Sequence, residues 1–164
     1  MASSAVSSQG TRFFIQDGTA DLDPASATDF PAVGVLGAAV AGFLETQEHR
    51  SYSGFDGQAS EIDVTTLVST AREKRLGLQD FGSFSVDLNI VDTEPFQVEA
   101  AEAKAAGSMR WFRLVYANGA ERRFQGYVRS ISESGSVDAV AQGTMGITIN
   151  GDVISVAAPA ATTP

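Results

Sequence analysis

The stretch from residue 81 to residue 91, FGSFSVDLNIV, alternates between polar and apolar side chains from position 83 to position 90. The apolar positions are Phe84, Val86, Leu88 and Ile90. The polar positions are Ser83, Ser85, Asp87 and Asn89. Because successive side chains of a strand point to opposite faces of a sheet, this stretch predicts a β-strand with one buried face and one polar face.

A helix is predicted directly after this strand, over TEPFQVEAAEAKAAG, residues 93–107. Thr93 is a candidate N-cap, Pro95 suits the first turn, and Lys104 and Gly107 are typical of a helix end. The thin apolar stripe of this helix consists of Phe96, Ala100 and Ala103. Because small alanines allow close approach, we expect the stripe to pack against the sheet.

Two further predictions cover the chain after the helix. The run MRWFRLVYANGAERRFQGYVRSISES, residues 109–134, predicts a β-hairpin whose Asn118-Gly119 pair forms a type I′ turn. The run AVAQGTMGITINGDVISV, residues 139–156, predicts one last strand.

The N-terminal half gives weaker signals. TRFFIQDG, residues 11–18, predicts a short strand within a peripheral N-terminal segment, and residues 33–48 favour strand over helix because they contain several glycines. HRSYSGFDGQAS, residues 49–60, is typical of a flexible connection. EIDVTTL, residues 61–67, predicts a strand that continues into STAREKRLGLQDFG, residues 69–82, an exposed charged segment.

The predicted fold is mainly β: an antiparallel β-sandwich or barrel with one flanking α-helix. A chain of 164 residues, 43% of them hydrophobic, can bury one core. We predict an N-terminal arm with a short strand at residues 1–32, a single β domain at 33–155 and a disordered tail at 156–164.

Composition excludes several functional classes. The formal net charge is −9, which disfavours general nucleic-acid binding through phosphate neutralisation. The chain has no cysteine, which excludes disulfides, thiolate catalysis and cysteine-bound metal. No run approaches the roughly 18 consecutive apolar residues of a membrane helix, and the first ten residues do not resemble a secretory signal. We therefore expect no membrane partner and synthesis in a cytoplasm.

Candidate chemical sites are sparse, so we expect no enzyme, no cofactor and no metal. His49 has no patterned partner and is expected to be a plain surface residue. Asp17, Asp21 and Asp23 are spaced like calcium ligands, but the glycine and the terminal Glu of a calcium loop are misplaced, so we expect a solvated acidic loop. Arginines alternate with aromatic residues between 110 and 129, which suggests either a single-strand nucleic-acid platform or a surface that pairs with acids of a neighbouring chain.

The order of several segments resembles the tail tube proteins, or major tail proteins, of long-tailed bacteriophages. The matching segments are Ile62 to Leu67, Ser69 to Glu73, Gly77 to Gly82, Phe124 to Val128 and Ser132 to Gly151. Each motif is short, but their succession covers residues 33–155. The apolar run VGVLGAAVAGF and the long HRSYSGFDGQAS connection depart from the family pattern.

The resemblance implies a virion structural protein whose six copies form a ring, with rings stacked into a tube for genome ejection. It also implies tape measure, tail terminator and tail-tip proteins as partners, transient passage of double-stranded DNA without specific binding, and a place in the virion tail after assembly in the bacterial cytoplasm. Under this hypothesis the exposed charged segment contacts the next ring or subunit. The predicted contact residues are Arg72, Glu73, Lys74, Arg75 and Asp80. The predicted lumen-facing residues are Ser83, Ser85, Asp87 and Asn89.

Three alternatives remain open from the sequence. The first is the tube of a phage-derived device, such as a gene transfer agent, a tailocin or a secretion-system needle. The second is a non-viral β-barrel module that binds a small ligand in a concave pocket. The third is an enzyme, for which no pair of nucleophile and base can be named.

Overall fold

The computed structural model describes residues 8–33, 39–68 and 70–158. Within these residues the chain is mainly β, as the sequence predicts, and it contains one helix, α1 (Pro95–Ala106). The strands are β1 (Arg12–Gln16), β2 (Phe43–Thr46), β3 (His49–Gly54), β4 (Ala59–Asp63), β5 (Lys74–Gln79), β6 (Ser83–Asn89), β7 (Arg110–Val115), β8 (Glu121–Ser134), β9 (Gln142–Ile149) and β10 (Ile154–Val156).

The main sheet is antiparallel and curls back on itself. Its strand order is β2-β1-β7-β8-β9-β6-β3, and β10 pairs with β8 beside β9. The strands β2 and β3 stand at opposite ends of this order, yet Gln47 and Glu48 alone connect them along the chain. The two ends of the sheet must therefore meet, and His49 Nε2 lies 2.8 Å from the carbonyl oxygen of Thr11 at this junction. The result is a barrel-like sheet.

Strand β6 has the predicted alternation. It pairs with β3 on one side and with β9 on the other. Phe84, Val86 and Leu88 are buried, whereas the residues between them are half-exposed. Ile90 lies just beyond the end of the strand and is only half-buried.

The interior of the curled sheet is filled by phenylalanines and closed by α1. Phe13, Phe84, Phe112 and Phe124 from four strands have ring centroids 5.2 to 5.9 Å apart. The predicted helix stripe is confirmed, because Phe96, Ala100 and Ala103 are buried in the same cluster. Since α1 contacts β1, β2 and β8, it covers the core side of the sheet rather than the polar side of β6.

The prediction that the N-terminal segment is peripheral is wrong. Strand β1 lies inside the sheet, between β2 and β7, and all five of its residues are buried. Its outer face is covered by a second apolar cluster in which Phe30 packs against Phe43 and Trp111, with centroid distances of 5.1 and 5.4 Å. A strand that is covered on both faces shows no alternation of polar and apolar residues. The sequence pattern therefore could not indicate that β1 lies inside the sheet.

Several predicted boundaries change in the first half of the chain. The segment predicted as a flexible connection contains β3, which pairs with β6. The strand predicted at residues 61–67 is β4, which ends at Asp63, and the charged segment after it is not only a loop, because it contains β5 paired with β4. Of the strand predicted at 33–48, only β2 is a strand among the described residues, and residues 34–38 lie outside them.

The second half keeps its predicted elements with local corrections. Glu94, not Thr93, is the N-cap of α1, whereas Gly107 is the C-cap with φ of 61°. The β7–β8 hairpin forms around Asn118-Gly119, but the turn is not type I′, because only Gly119 has a positive φ. The Asn118 side chain accepts a hydrogen bond from Ala120 N instead.

The predicted last strand is two strands, β9 and β10. Val156 belongs to β10, and residues 1–7 and 159–164 lie outside the described residues.

Candidate assembly surfaces

A β-hairpin formed by β4 and β5 projects from the main sheet. Its strands pair only with each other and form a separate two-stranded sheet. The base of the hairpin is fixed by two carboxylates: Asp56 accepts a hydrogen bond from Ser83 N, and Asp80 accepts one from Gly82 N at 2.8 Å. A Cβ on Gly57 would lie 1.7 Å from the Asp80 carbonyl oxygen, so the two chain segments meet at a distance that only glycine allows.

The hairpin exposes large apolar side chains that its own chain does not cover. Leu76 is 77% exposed and Leu78 is 91% exposed, and both lie on β5, where a register shift opposite Ser60 interrupts the pairing with β4. Ile62 on β4 and Leu67 and Val68 near the tip are also exposed. Exposed apolar residues that cluster in this way are typical of an interaction surface.

The residues predicted as contacts lie along this hairpin. Arg72 and Glu73 are exposed near its tip, while Lys74 and Arg75 begin β5. Lys74 forms an ion pair with Glu61 across the hairpin. Within the described part of the chain, neither Arg72 nor Arg75 has an ion-pair partner. Asp80 lies at the hairpin base, where its carboxylate shapes the turn into β6.

A second surface is the polar face formed by β3, β6, β9 and β8. The strand register places small hydroxyl side chains beside one another across all four strands. We call these residues the hydroxyl face: Ser51, Ser53, Ser83, Ser85, Thr144, Thr148, Ser130 and Ser132. The four predicted lumen residues lie on it or at its end, and Asn89 is held there by a hydrogen bond to Glu48.

Asp87 is the carboxylate at the centre of the hydroxyl face. Its side chain accepts hydrogen bonds from Ser51 Oγ on β3 and from Thr144 Oγ1 on β9. These two bonds, Ser51 first, hold the pKa of Asp87 below its usual value, and the charge of Arg50 acts in the same direction. The face is not uniformly negative, because Arg129 also reaches it above Gly146.

The arginines between 110 and 129 do not form a nucleic-acid platform, and the alternative that they pair with a neighbouring chain fails for three of them. Arg110 forms a buried ion pair with Glu99 of α1 at 2.7 Å. Arg113 and Arg123 share Glu121, and all three side chains are buried. Arg123 also lies 4.6 Å above the Phe30 ring, so this cluster anchors the segment that covers the outer core.

His49 is not the plain surface residue that the sequence suggests. It is half-buried, and its two ring nitrogens lie 2.8 and 3.3 Å from the carbonyl oxygens of Thr11 and Thr46. Its position is structural, because it joins the two ends of the main sheet. Across the described residues, no three His, Asp or Glu side chains are grouped closely enough to hold a metal ion, and no helix is long and apolar enough to span a membrane.

Two features of these surfaces were missed from the sequence. The exposed leucines of β5 lie in the segment predicted only as charged and exposed, where Leu76-Gly77-Leu78 is the sequence signal for a strand. The contribution of β3, β8 and β9 to the hydroxyl face depends on strand order and register, which no local pattern contains.

Comparisons with known proteins gave no match to a protein-family model and none to a curated protein. Solved structures do match. One chain of the virion of a native gene transfer agent particle is 20% identical, with a TM-score of 0.59, over 70% of this chain and 89% of that chain. The SPP1 tail tube is 14% identical, with a TM-score of 0.63, over 92% of this chain and 78% of that chain.

A third similarity is to an extracellular contractile injection system, in a structure of its sheath and tube terminator. That chain is 10% identical, with a TM-score of 0.61, over 96% of this chain and all of that chain. Identities this low establish a shared fold. The chain therefore has the fold found in the SPP1 tail tube and in chains of gene transfer agent and contractile injection particles.

Proposed function

We propose that this chain is a tail tube subunit: six copies form a ring, and rings stack into the conduit for genome ejection. The observation that carries the proposal is the shared fold with the SPP1 tail tube over 92% of this chain. The proposed role is structural rather than catalytic, and its place is the virion tail after assembly in the host cytoplasm. Tape measure, tail terminator and tail-tip proteins are the proposed partners.

The two assembly surfaces support this role independently of the comparison. The β4–β5 hairpin exposes leucines that a monomer would leave in water, at a cost of about 1.5–3 kcal/mol per side chain relative to burial. Arg72, Glu73, Lys74, Arg75 and Asp80 are proposed contacts between rings or subunits. Exposed ion pairs contribute about 0–1 kcal/mol each. Such pairs would align neighbouring subunits or rings only because the same pair recurs in every subunit of a ring.

The hydroxyl face is the proposed wall of the lumen. Short hydroxyl side chains leave space for a duplex, and they carry no positive charge of their own that would bind phosphate. Asp87, repeated in each subunit, places a negative charge on the wall where DNA would otherwise adhere. Ser83, Ser85 and Asn89 are the other proposed lumen residues on β6.

A phage-derived particle is the second candidate, because the gene transfer agent chain matches over 89% of its length. The tail of an empty gene transfer agent particle, refined with C6 symmetry, also matches, at 19% identity and a TM-score of 0.59 over 76% of this chain and 92% of that chain. The mechanics of the tube would be the same. The genes beside this one would separate the two candidates.

Electron microscopy of the purified protein at increasing concentration tests the proposal. We expect rings or tubes with sixfold symmetry in class averages. Another symmetry would reject the ring number. Dispersed monomers at all concentrations, with a melting temperature that rises when a small ligand is added, would favour a ligand-binding module instead.

A second test concerns the charged residues of the hairpin. Replacing Arg72, Glu73, Lys74 and Arg75 together by Ser should leave the circular dichroism spectrum unchanged and reduce stacking in micrographs. The control replaces Asp21, Lys104 and Asp152, three exposed charged residues that lie outside the hairpin sequence. Normal tube growth by the hairpin variant would show that these four residues are not contacts.

A further inference from the structure

A groove of about 270 Å³ lies between α1 and the adjacent ends of β6, β8 and β9. Its floor is apolar and is formed by Leu88, Ile90, Val98, Ala101, Ile131 and Met145. Its rim carries Asp92, Glu102 and Glu133, which are exposed. Within the described residues, none of these three carboxylates belongs to an ion pair. The groove therefore suits an apolar segment with positive charges beside it.

The β4–β5 hairpin has that complementary chemistry. Leu76 and Leu78 are two exposed apolar side chains, and the cations nearest to them in the sequence are Arg72, Lys74 and Arg75. Docking two apolar side chains into the groove would remove them from water, while the arginines without partners would approach unpaired carboxylates. The hairpin leucines, Val98 on the groove and the acidic rim are exposed in the single chain.

The positions of the two surfaces make this a contact between copies. The hairpin base joins the first residue of β6, where Asp56 accepts a hydrogen bond from Ser83 N. The groove is lined by Leu88 and Ile90, at the other end of β6. A seven-residue strand spans about 20 Å, so the hairpin base and the groove lie at opposite ends of β6.

We infer that the groove between α1 and the ends of β6, β8 and β9 receives the β4–β5 hairpin of a second copy of this chain. The contact joins two different surfaces, so it is heterologous and leaves one free hairpin and one free groove at the ends of any chain of copies. Such a contact propagates into rings or open filaments rather than stopping at a dimer. The inference rests on the proposed tube function and names the contact through which the rings of the tube would stack.

Cysteine cross-linking tests the inference cleanly, because the chain has no native cysteine. The test variant carries Leu76→Cys on the hairpin and Val98→Cys at the groove, both at exposed positions. After assembly and mild oxidation, we expect a ladder of covalent oligomers on a non-reducing gel. Each single variant should give no species larger than a dimer. The control pair Leu76→Cys with Ala117→Cys, an exposed turn residue, should give no ladder.

The outcomes separate this inference from the proposed function. Tubes in micrographs without a ladder would overturn the groove contact and leave the tube proposal intact. Absence of both assemblies and cross-links, also for the unmodified chain, would overturn both.

A charge-reversal pair provides a second measurement. Glu102→Lys with Glu133→Lys should raise the protein concentration needed for assembly by about tenfold at low salt. Adding Arg72→Glu and Arg75→Glu should restore most of this loss. If the two reversals weaken assembly additively, without rescue, the hairpin does not occupy the groove.

Discussion

Asp87 shows how hydrogen bonds to one carboxylate translate into a pH dependence of stability. Ser51 and Thr144 donate to it from both neighbouring strands, and its pKa in the folded chain is lowered. The folded state therefore binds its proton less readily than the unfolded state. The stabilisation from Asp87 is present above the ordinary Asp pKa of about 3.9 and is lost as the pH falls through the lower folded value.

The first prediction follows for Asp87→Asn. Denaturant unfolding of the unassembled chain should show the variant less stable than the parent at pH 7, with the difference shrinking towards pH 3. Thr144→Val removes one of the donors, so it should reduce the same pH dependence in part. A constant difference between parent and Asp87→Asn across this range would contradict the assignment.

The second prediction concerns Glu121, which lies between two buried guanidinium groups. Its carboxylate accepts from Arg113 at 2.6 Å and from Arg123 at 3.0 Å. Glu121→Gln would leave two buried cations without a counter-charge, so we expect a loss of about 3–5 kcal/mol in the free energy of unfolding. The same change at Glu133, exposed on the same strand, should stay within about 0.5 kcal/mol. Equal effects at both positions would show that the buried cluster is not stabilising.

At the scale of elements, the β4–β5 hairpin depends on its base for direction. Gly57 is the third prediction: Gly57→Ala would place a Cβ on the backbone of Asp80 and Phe81, so the two segments must separate. We expect a folded core, a displaced hairpin and loss of tube growth in micrographs. Gly135→Ala is the matched control, because nothing lies within 4 Å of its added Cβ. That control should be neutral or stabilising by up to about 1 kcal/mol. Normal tubes from Gly57→Ala would contradict a directed hairpin.

The elements that could be predicted from the sequence are those specified by local chemistry. Strand β6 alternates, α1 has Pro95 and Gly107 at its ends, and the β7–β8 turn contains Asn-Gly. Strand β1 is different, because burial on both faces removes its alternation, and β3 is a largely polar edge strand that resembles a loop. The charged residues of the hairpin are adjacent in the sequence, so they could be predicted as one surface. The groove combines side chains from α1 and three strands, which only the fold brings together.

At the scale of the whole molecule, the chain has a core face closed by α1 and an opposite hydroxyl face that α1 leaves open. Asp87 lies on the hydroxyl face, Arg50 is close to it, and Arg129 reaches the same face. The wall proposed for the lumen is therefore mixed in charge and rich in hydroxyl groups. Replacing the carboxylate of Asp87 by a cation would make the net charge of this face more positive.

The last prediction tests that wall with Asp87→Lys, which changes the charge by two units in every subunit. If β6 faces the lumen, tubes should still assemble, and genome release should slow because phosphates are attracted to the wall. The slowing should be greater at 0.01 M salt, where the Debye length is about 30 Å, than at 0.1 M, where it is about 10 Å. Asp87→Asn is the matched control, since it also loses the ionised acceptor of Ser51 and Thr144 but adds no cation. Asp152→Lys repeats the charge change at an exposed turn outside the hydroxyl face. Release that is slowed by Asp87→Lys alone, in a salt-dependent way, would place β6 on the lumen. Equal release by all three variants, with normal tubes, would place the hydroxyl face elsewhere in the assembly.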